Sequence, residues 1–99
     1  WLDGERNEPQ LLCDAYSNAI MKANHVGVKT ISFPNISTGV YGFPRQLAAE
    51  IAIGTILSTL PQYDCVEEVF FVCRDDENYL IYKAILSNIN DPKIKIQIE

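Results

Sequence analysis

Ninety-nine residues, 47% hydrophobic and 21% charged with a net charge of −5, are enough for one small core in one domain. The acidic balance argues against bulk binding to nucleic acid, which needs Lys and Arg to neutralise phosphates, yet it leaves a small diphosphate open because backbone N–H groups bind one without net charge. No apolar run reaches membrane-spanning length and no signal-peptide pattern occurs, so no membrane partner is expected.

The chain opens on Trp1-Leu-Asp-Gly4 rather than Met, which reads as the continuation of a longer chain. Asn7-Glu-Pro-Gln10 is a helix start, with Asn7 as N-cap, Pro9 in the first turn and Gln10 placed as in a capping box. Leu12, Ala15, Tyr16, Ala19, Ile20 and Ala23 then recur at helical spacing on one face. The spacing predicts a helix over 8–25, and Gly27 is a suitable left-handed stop. A first strand is predicted over 29–33.

The next stretch, Ile36-Ser-Thr-Gly-Val-Tyr-Gly-Phe-Pro44, joins that strand to a second helical pattern over 44–60. A strand, a loop with Gly39 and Gly42, and a helix start in that order suit an anion. Glycine lets the backbone approach a ligand closely, and free N–H groups at a helix N-terminus favour negative charge. Ser37 and Thr38 add hydroxyl donors and Tyr41 an aromatic ring. The same residues also fit an ordinary βα turn with no ligand.

The second helix is apolar on more than one face, through Ala48, Ala49, Ile51, Ala52, Ile53, Ile56, Leu57 and Leu60, so it is expected to be largely covered. Pro61 stops it. Val69-Phe-Phe-Val-Cys73 is an unbroken run of strand formers, within a predicted strand over 67–73, and suits a central parallel position covered on both faces. In Arg74-Asp-Asp-Glu77 the acids read as helix capping, by Asp75 or Asp76, in preference to an acid–base pair. A helix over 77–89 follows, and Asn90-Asp-Pro92 breaks it. Lys93-Ile-Lys-Ile-Gln-Ile98 alternates, as a half-exposed edge strand over 93–98 does.

Cys13, Cys65 and Cys73 are scattered, and His25 has no partner at metal-ligand spacing, so no metal site is expected. Three unpaired thiols fit a reducing compartment: the cytoplasm, or also the nucleus in a eukaryotic cell. Cys73 reads as a buried inert thiol, and His25 as a residue favouring the end of the first helix.

The order α-β-α-β-α-β implies an α/β fold of three α/β/α layers with a mainly parallel sheet. Ligands of such sheets sit beyond the carboxyl ends of the strands, where the loop at 37–43 and the turn at 74–76 both fall. The glycine pattern fits neither a dinucleotide-binding fingerprint nor a P-loop.

The stretch Ile36-Ser-Thr-Gly-Val-Tyr-Gly-Phe-Pro44 closely resembles the second ligand loop of macro domains, the ADP-ribose-binding family, and its MacroD-type branch in particular. Trp1-Leu-Asp-Gly4 with Leu11-Leu12 and Ala15-Tyr16 resembles the helix before that loop. Phe71-Val-Cys-Arg-Asp-Asp-Glu-Asn78 resembles the last core strand and the turn into the final helix. The resemblance implies that residues 1–99 are the C-terminal portion of a single macro domain whose N-terminal portion is absent. It further implies that Ser37, Thr38, Gly39, Val40, Tyr41, Gly42 and Phe43 wrap the diphosphate of ADP-ribose, with Tyr41 against the distal ribose. Arg74 would approach the adenine. Relatives often have an aromatic residue there; a guanidinium can stack on adenine through its flat face, or pair with Asp75 or Asp76.

Relatives of this branch hydrolyse mono-ADP-ribosyl esters or O-acetyl-ADP-ribose, without metal, cofactor or covalent nucleophile. The family's Asn, Asp and glycine-rich first loop would precede Trp1, so catalytic residues are expected upstream and these residues alone are expected to be inactive. The implied partners are ADP-ribose, ADP-ribosylated protein or O-acetyl-ADP-ribose. Two other classes fit: a non-enzymatic ADP-ribose reader, or a generic nucleotide- or phosphate-binding α/β module. The isolated segment is also expected to self-associate, because an apolar strand and helix would be left without cover.

Overall fold

The computed structural model describes residues 8–34 and 44–98. The first helix, α1, spans Glu8–Val26, and the strand β1 follows at Thr30–Pro34. Helix α2 spans Arg45–Thr59 and tightens into a 3-10 turn at Leu60–Gln62, where Pro61 sits. Strand β2 is Glu68–Cys73, helix α3 is Asp76–Leu86 and strand β3 is Ile94–Ile98. The fold is α/β, with the six main elements alternating in the expected order.

The three strands pair in the order β1-β2-β3, both pairs parallel, so β2 is central as its composition requires. The register places Phe33 beside Phe71 and Phe71 beside Ile96. Registered neighbours share a face, and Val69, Phe71 and Cys73 of β2 are fully buried there. Tyr16 of α1 and Tyr82 of α3 both meet Phe71 on that face, with ring centroids 6.2 and 5.1 Å away. Tyr16 also meets Phe33 edge-on at 5.0 Å. Helix α2 packs against α1 and α3 through a broad buried arc of Ala48, Ala49, Ala52, Ile53 and Ile56. Its alanines let the neighbouring helix come close, and Thr55 donates a hydrogen bond to Cys13 Sγ at 3.3 Å.

The opposite face differs from the expectation of full cover. Phe70 and Val72 are half-buried and Ser32 and Gln97 exposed. The reason is topological. Strands that line up in chain order send successive crossovers of one hand over the same face. Among the described residues the second helical layer is therefore not represented. On this face Lys95 pairs with Glu68 and lies 5.7 Å from the Phe70 ring centroid.

The helix ends follow from their residues. Gly27 has φ 80°, Val28 N–H donates to Ala23 O at 2.9 Å and Gly27 N–H to Asn24 O at 3.1 Å, which is a Schellman stop. Ala15 is exposed, so the buried stripe of α1 is narrower than its apolar pattern. Helix α3 stops at Leu86, short of the predicted 89. Its last turn tightens, as Asn88 N–H bonds to Ile85 O, while Ser87 Oγ and Asn88 Nδ2 both donate to Ala84 O.

Two glycine substitutions should have opposite signs. Gly54 lies inside α2 with no atom within 4 Å of an added Cβ. Gly54→Ala should stabilise by about 0.5–1 kcal/mol through helix propensity. Gly27→Ala should cost about 1–2 kcal/mol, because alanine is strained at positive φ. Denaturant unfolding of both variants against the parent measures the two effects.

Candidate ligand site at the carboxyl edge of the sheet

The carboxyl ends of β1 and β2 lie side by side, since Pro34 is registered with Val72. Both strands lead at this edge into segments that start helices: α2 begins at Arg45 and α3 at Asp76. The two helix N-termini are treated differently by the sequence. Asp75 caps α3: its Oδ1 accepts from the Asn78 backbone N–H at 2.7 Å, and its Oδ2 accepts from Asn78 Nδ2 at 3.1 Å. Asp76 and Glu77 fill the first turn with further negative charge. Among the described residues helix α2 has no side-chain cap, and its first turn carries no acid. Pro44 enters it extended, at φ −56° and ψ 126°. Proline contributes no N–H, and the first N–H groups of the helix point back toward the preceding segment without intrahelical acceptors. Of the two termini, α3's is occupied by its own carboxylate and α2's is the one suited to an external anion.

Arg45, the first residue of α2, ties the two together. Its Nη1 donates to Glu77 Oε2 at 2.8 Å and lies 3.5 Å from Asp75 Oδ1. All three side chains remain more than a third exposed. Asn78 lies beneath this cluster and is buried; its Oδ1 has no hydrogen-bond partner among the described residues. The Asn78 backbone N–H holds the Asp75 carboxyl below its ordinary 3.8; burial opposes this, while the Asn78 amide and the Arg45 guanidinium reinforce it.

The residues singled out in the sequence fall unevenly on this frame. Arg74 sits directly after β2 at the carboxyl edge, exposed. Ser37, Thr38, Gly39, Val40, Tyr41, Gly42 and Phe43 lie outside the described residues, as does the Asn7 cap. The described segments on either side of that loop, β1 and α2, end and begin at this edge. The capping role read for Asp75 holds. The Arg45 bridge escaped the sequence, because it joins residues 30 and 32 positions apart. The one visible cue was a lone Arg following Pro44 against three consecutive acids at 75–77.

The macro domain family model matches residues 1–52, just over half of the chain. The chain belongs to the macro domain family. It is 78% identical, over 99% of its length, to a macro domain-containing protein of an Acinetobacter strain, and covers 54% of that protein. It is 50% identical, over 92% of its length, to the O-acetyl-ADP-ribose deacetylase of Escherichia fergusonii, of which it covers 51%. The macrodomain of Oceanobacillus iheyensis, solved with ADP, superposes with a TM-score of 0.82 at 36% identity, over 90% of this chain and 46% of that one. A mutant of the same macrodomain was solved with ADPR. The chain thus spans about half the length of the curated relatives it matches. Among the described residues no group of three metal-ligating side chains converges. No described helix is long and apolar enough to cross a membrane.

The cap gives a pH-dependent prediction. A carboxyl whose folded pKa is depressed adds stability above its unfolded pKa, and loses it as pH falls through the folded value. Asp75→Ala should therefore cost about 1 kcal/mol at neutral pH, the usual value of a lost N-cap. The difference between parent and variant should close in acid, below the depressed pKa. Unfolding midpoints of both proteins across that range are the measurement.

Proposed function

We propose that this chain forms the C-terminal half of a macro domain that binds ADP-ribose, and that the segment at 36–44 holds its diphosphate. The observation that carries the reading is the N-terminus of α2 at the carboxyl edge, acid-free and without a side-chain cap among the described residues, beside the turn after β2. The diphosphate would accept hydrogen bonds from backbone N–H groups around Gly39 and Gly42, with Ser37, Thr38, Val40 and Phe43 completing the loop. Tyr41 would pack on the distal ribose and Arg74 would face the adenine. Support comes from relatives: macrodomain structures hold ADP and ADPR, and homologues carry the name O-acetyl-ADP-ribose deacetylase.

In the complete protein the reaction proposed is hydrolysis of O-acetyl-ADP-ribose or of mono-ADP-ribosyl esters. Two of the three acids at this edge are already engaged. Asp75 is taken up by Asn78 and Arg45, and Glu77 by Arg45. The water-activating groups are accordingly assigned to the other half of the domain. That half would also cover the sheet face bearing Phe70 and Val72.

Two measurements test this. In the complete domain, Gly39→Val should abolish ADP-ribose binding in calorimetry while circular dichroism stays that of the parent, because the added side chain would occupy the space of the phosphates. Unchanged affinity would remove the loop from the site. The 99 residues alone should sediment as self-associated species and bind ADP-ribose far more weakly than the complete domain, with no hydrolysis. A folded monomer of undiminished affinity would show that the missing half is not needed.

A further inference from the structure

We infer that Arg45 is a positioning residue for the anion site: its bridge to Asp75 and Glu77 fixes the start of α2 against the start of α3 and masks the carboxylates there. The inference rests on the ADP-ribose reading above but concerns a residue outside the ligand loop. Three features of the geometry support it.

Arg45 is covalently the next residue after Pro44, where the loop enters α2, so holding its side chain restrains where the loop ends. Its guanidinium crosses to a second element, at 2.8 Å from Glu77 and 3.5 Å from Asp75. Asp75 in turn grips Asn78 twice, and Asn78 is buried. The exposed bridge is therefore anchored in the interior through the α3 cap. Both contacts are made by Nη1, so a single nitrogen of the guanidinium joins the two carboxylates.

The charge arrangement gives the bridge its second consequence. Asp75, Asp76 and Glu77 are consecutive acids at the edge where an anionic diphosphate would arrive. Carboxylates close to an anion site oppose binding, and the opposition grows where water is displaced. Arg45 offsets two of the three. The α2 terminus thus keeps its favourable field despite an acidic neighbour.

The test uses the complete domain with five proteins: parent, Arg45→Glu, Glu77→Arg, the double exchange, and Arg45→Lys as the conservative variant. ADP-ribose affinity is measured by calorimetry at low and high salt, and thermal midpoints are taken in parallel. Arg45→Glu should weaken binding on the order of fivefold or more at low salt, and less at high salt, where charge effects are screened. The double exchange should recover most of the loss, and Arg45→Lys should fall between parent and Arg45→Glu. A merely structural role would lower the midpoint without a salt-dependent affinity change. Folded Arg45→Glu protein with parental affinity, or a double exchange no better than Arg45→Glu, overturns the inference. Failure of the parent to bind ADP-ribose overturns the functional reading instead. The bridge then stands or falls on whether positions 45 and 77 couple in the thermal midpoints.

Discussion

The burial of Phe71 is the contact on which the arrangement depends. Its ring, on the central strand, meets Tyr16 from α1, Phe33 from β1 and Tyr82 from α3, and its register partner on β3 is Ile96. Burying such a side chain contributes about 1.5–3 kcal/mol, and each well-placed ring pair about 0.5–1.5 kcal/mol more. Those magnitudes exceed anything the exposed ion pairs at the edge supply. The carboxyl edge thus takes most of its stability from an aromatic centre below it, and the charges above act on its field and on the placement of α2. Cys73, two residues on and equally buried, continues that packing to the carboxyl end of β2, where Arg74 follows.

How far the sequence announced this depends on whether the signal was local. The helical spacing of Leu12, Tyr16 and Ile20, the stop at Gly27 and the apolar run of β2 are properties of neighbouring residues, and each formed the element it specified. Asp75 as a cap was legible for the same reason: an N-cap reads residues three positions away. What stayed hidden was long-range or geometric. Arg45 meets Glu77 only because two strands lie in register. The end of α3 was misplaced because Ser87 and Asn88 compete for a backbone carbonyl, which an apolar residue at 89 conceals. The one-sided cover of the sheet depends on strand order, which helical and strand periods do not encode. The segment at 37–43 lies outside the described residues, and its reading as an anion loop rests on its glycines and hydroxyls and on family resemblance.

The carboxyl edge illustrates how two similar helix starts acquire different uses. Both point partial positive charge outward. One is closed by Asp75, which accepts two hydrogen bonds from a single asparagine and is held ionised by them. The other begins after a proline that has neither a donor nor a capping oxygen to offer. Exchanging a cap between the two would move the favourable field from one side of the cleft to the other. The proposed ligand position therefore rests on the contrast between these two helix starts.

Strand order identical to chain order has a kinetic consequence. Among the described strands, β2 docks on β1 and β3 on β2, so this part assembles through successive βαβ units. Each loop closure then spans a single crossover, from Thr30 to Glu68 and from Val69 to Ile94, and its cost grows only slowly with that length. This portion of the sheet can consequently grow in the direction of synthesis, adding β2 to β1 and β3 to β2 as each emerges from the ribosome.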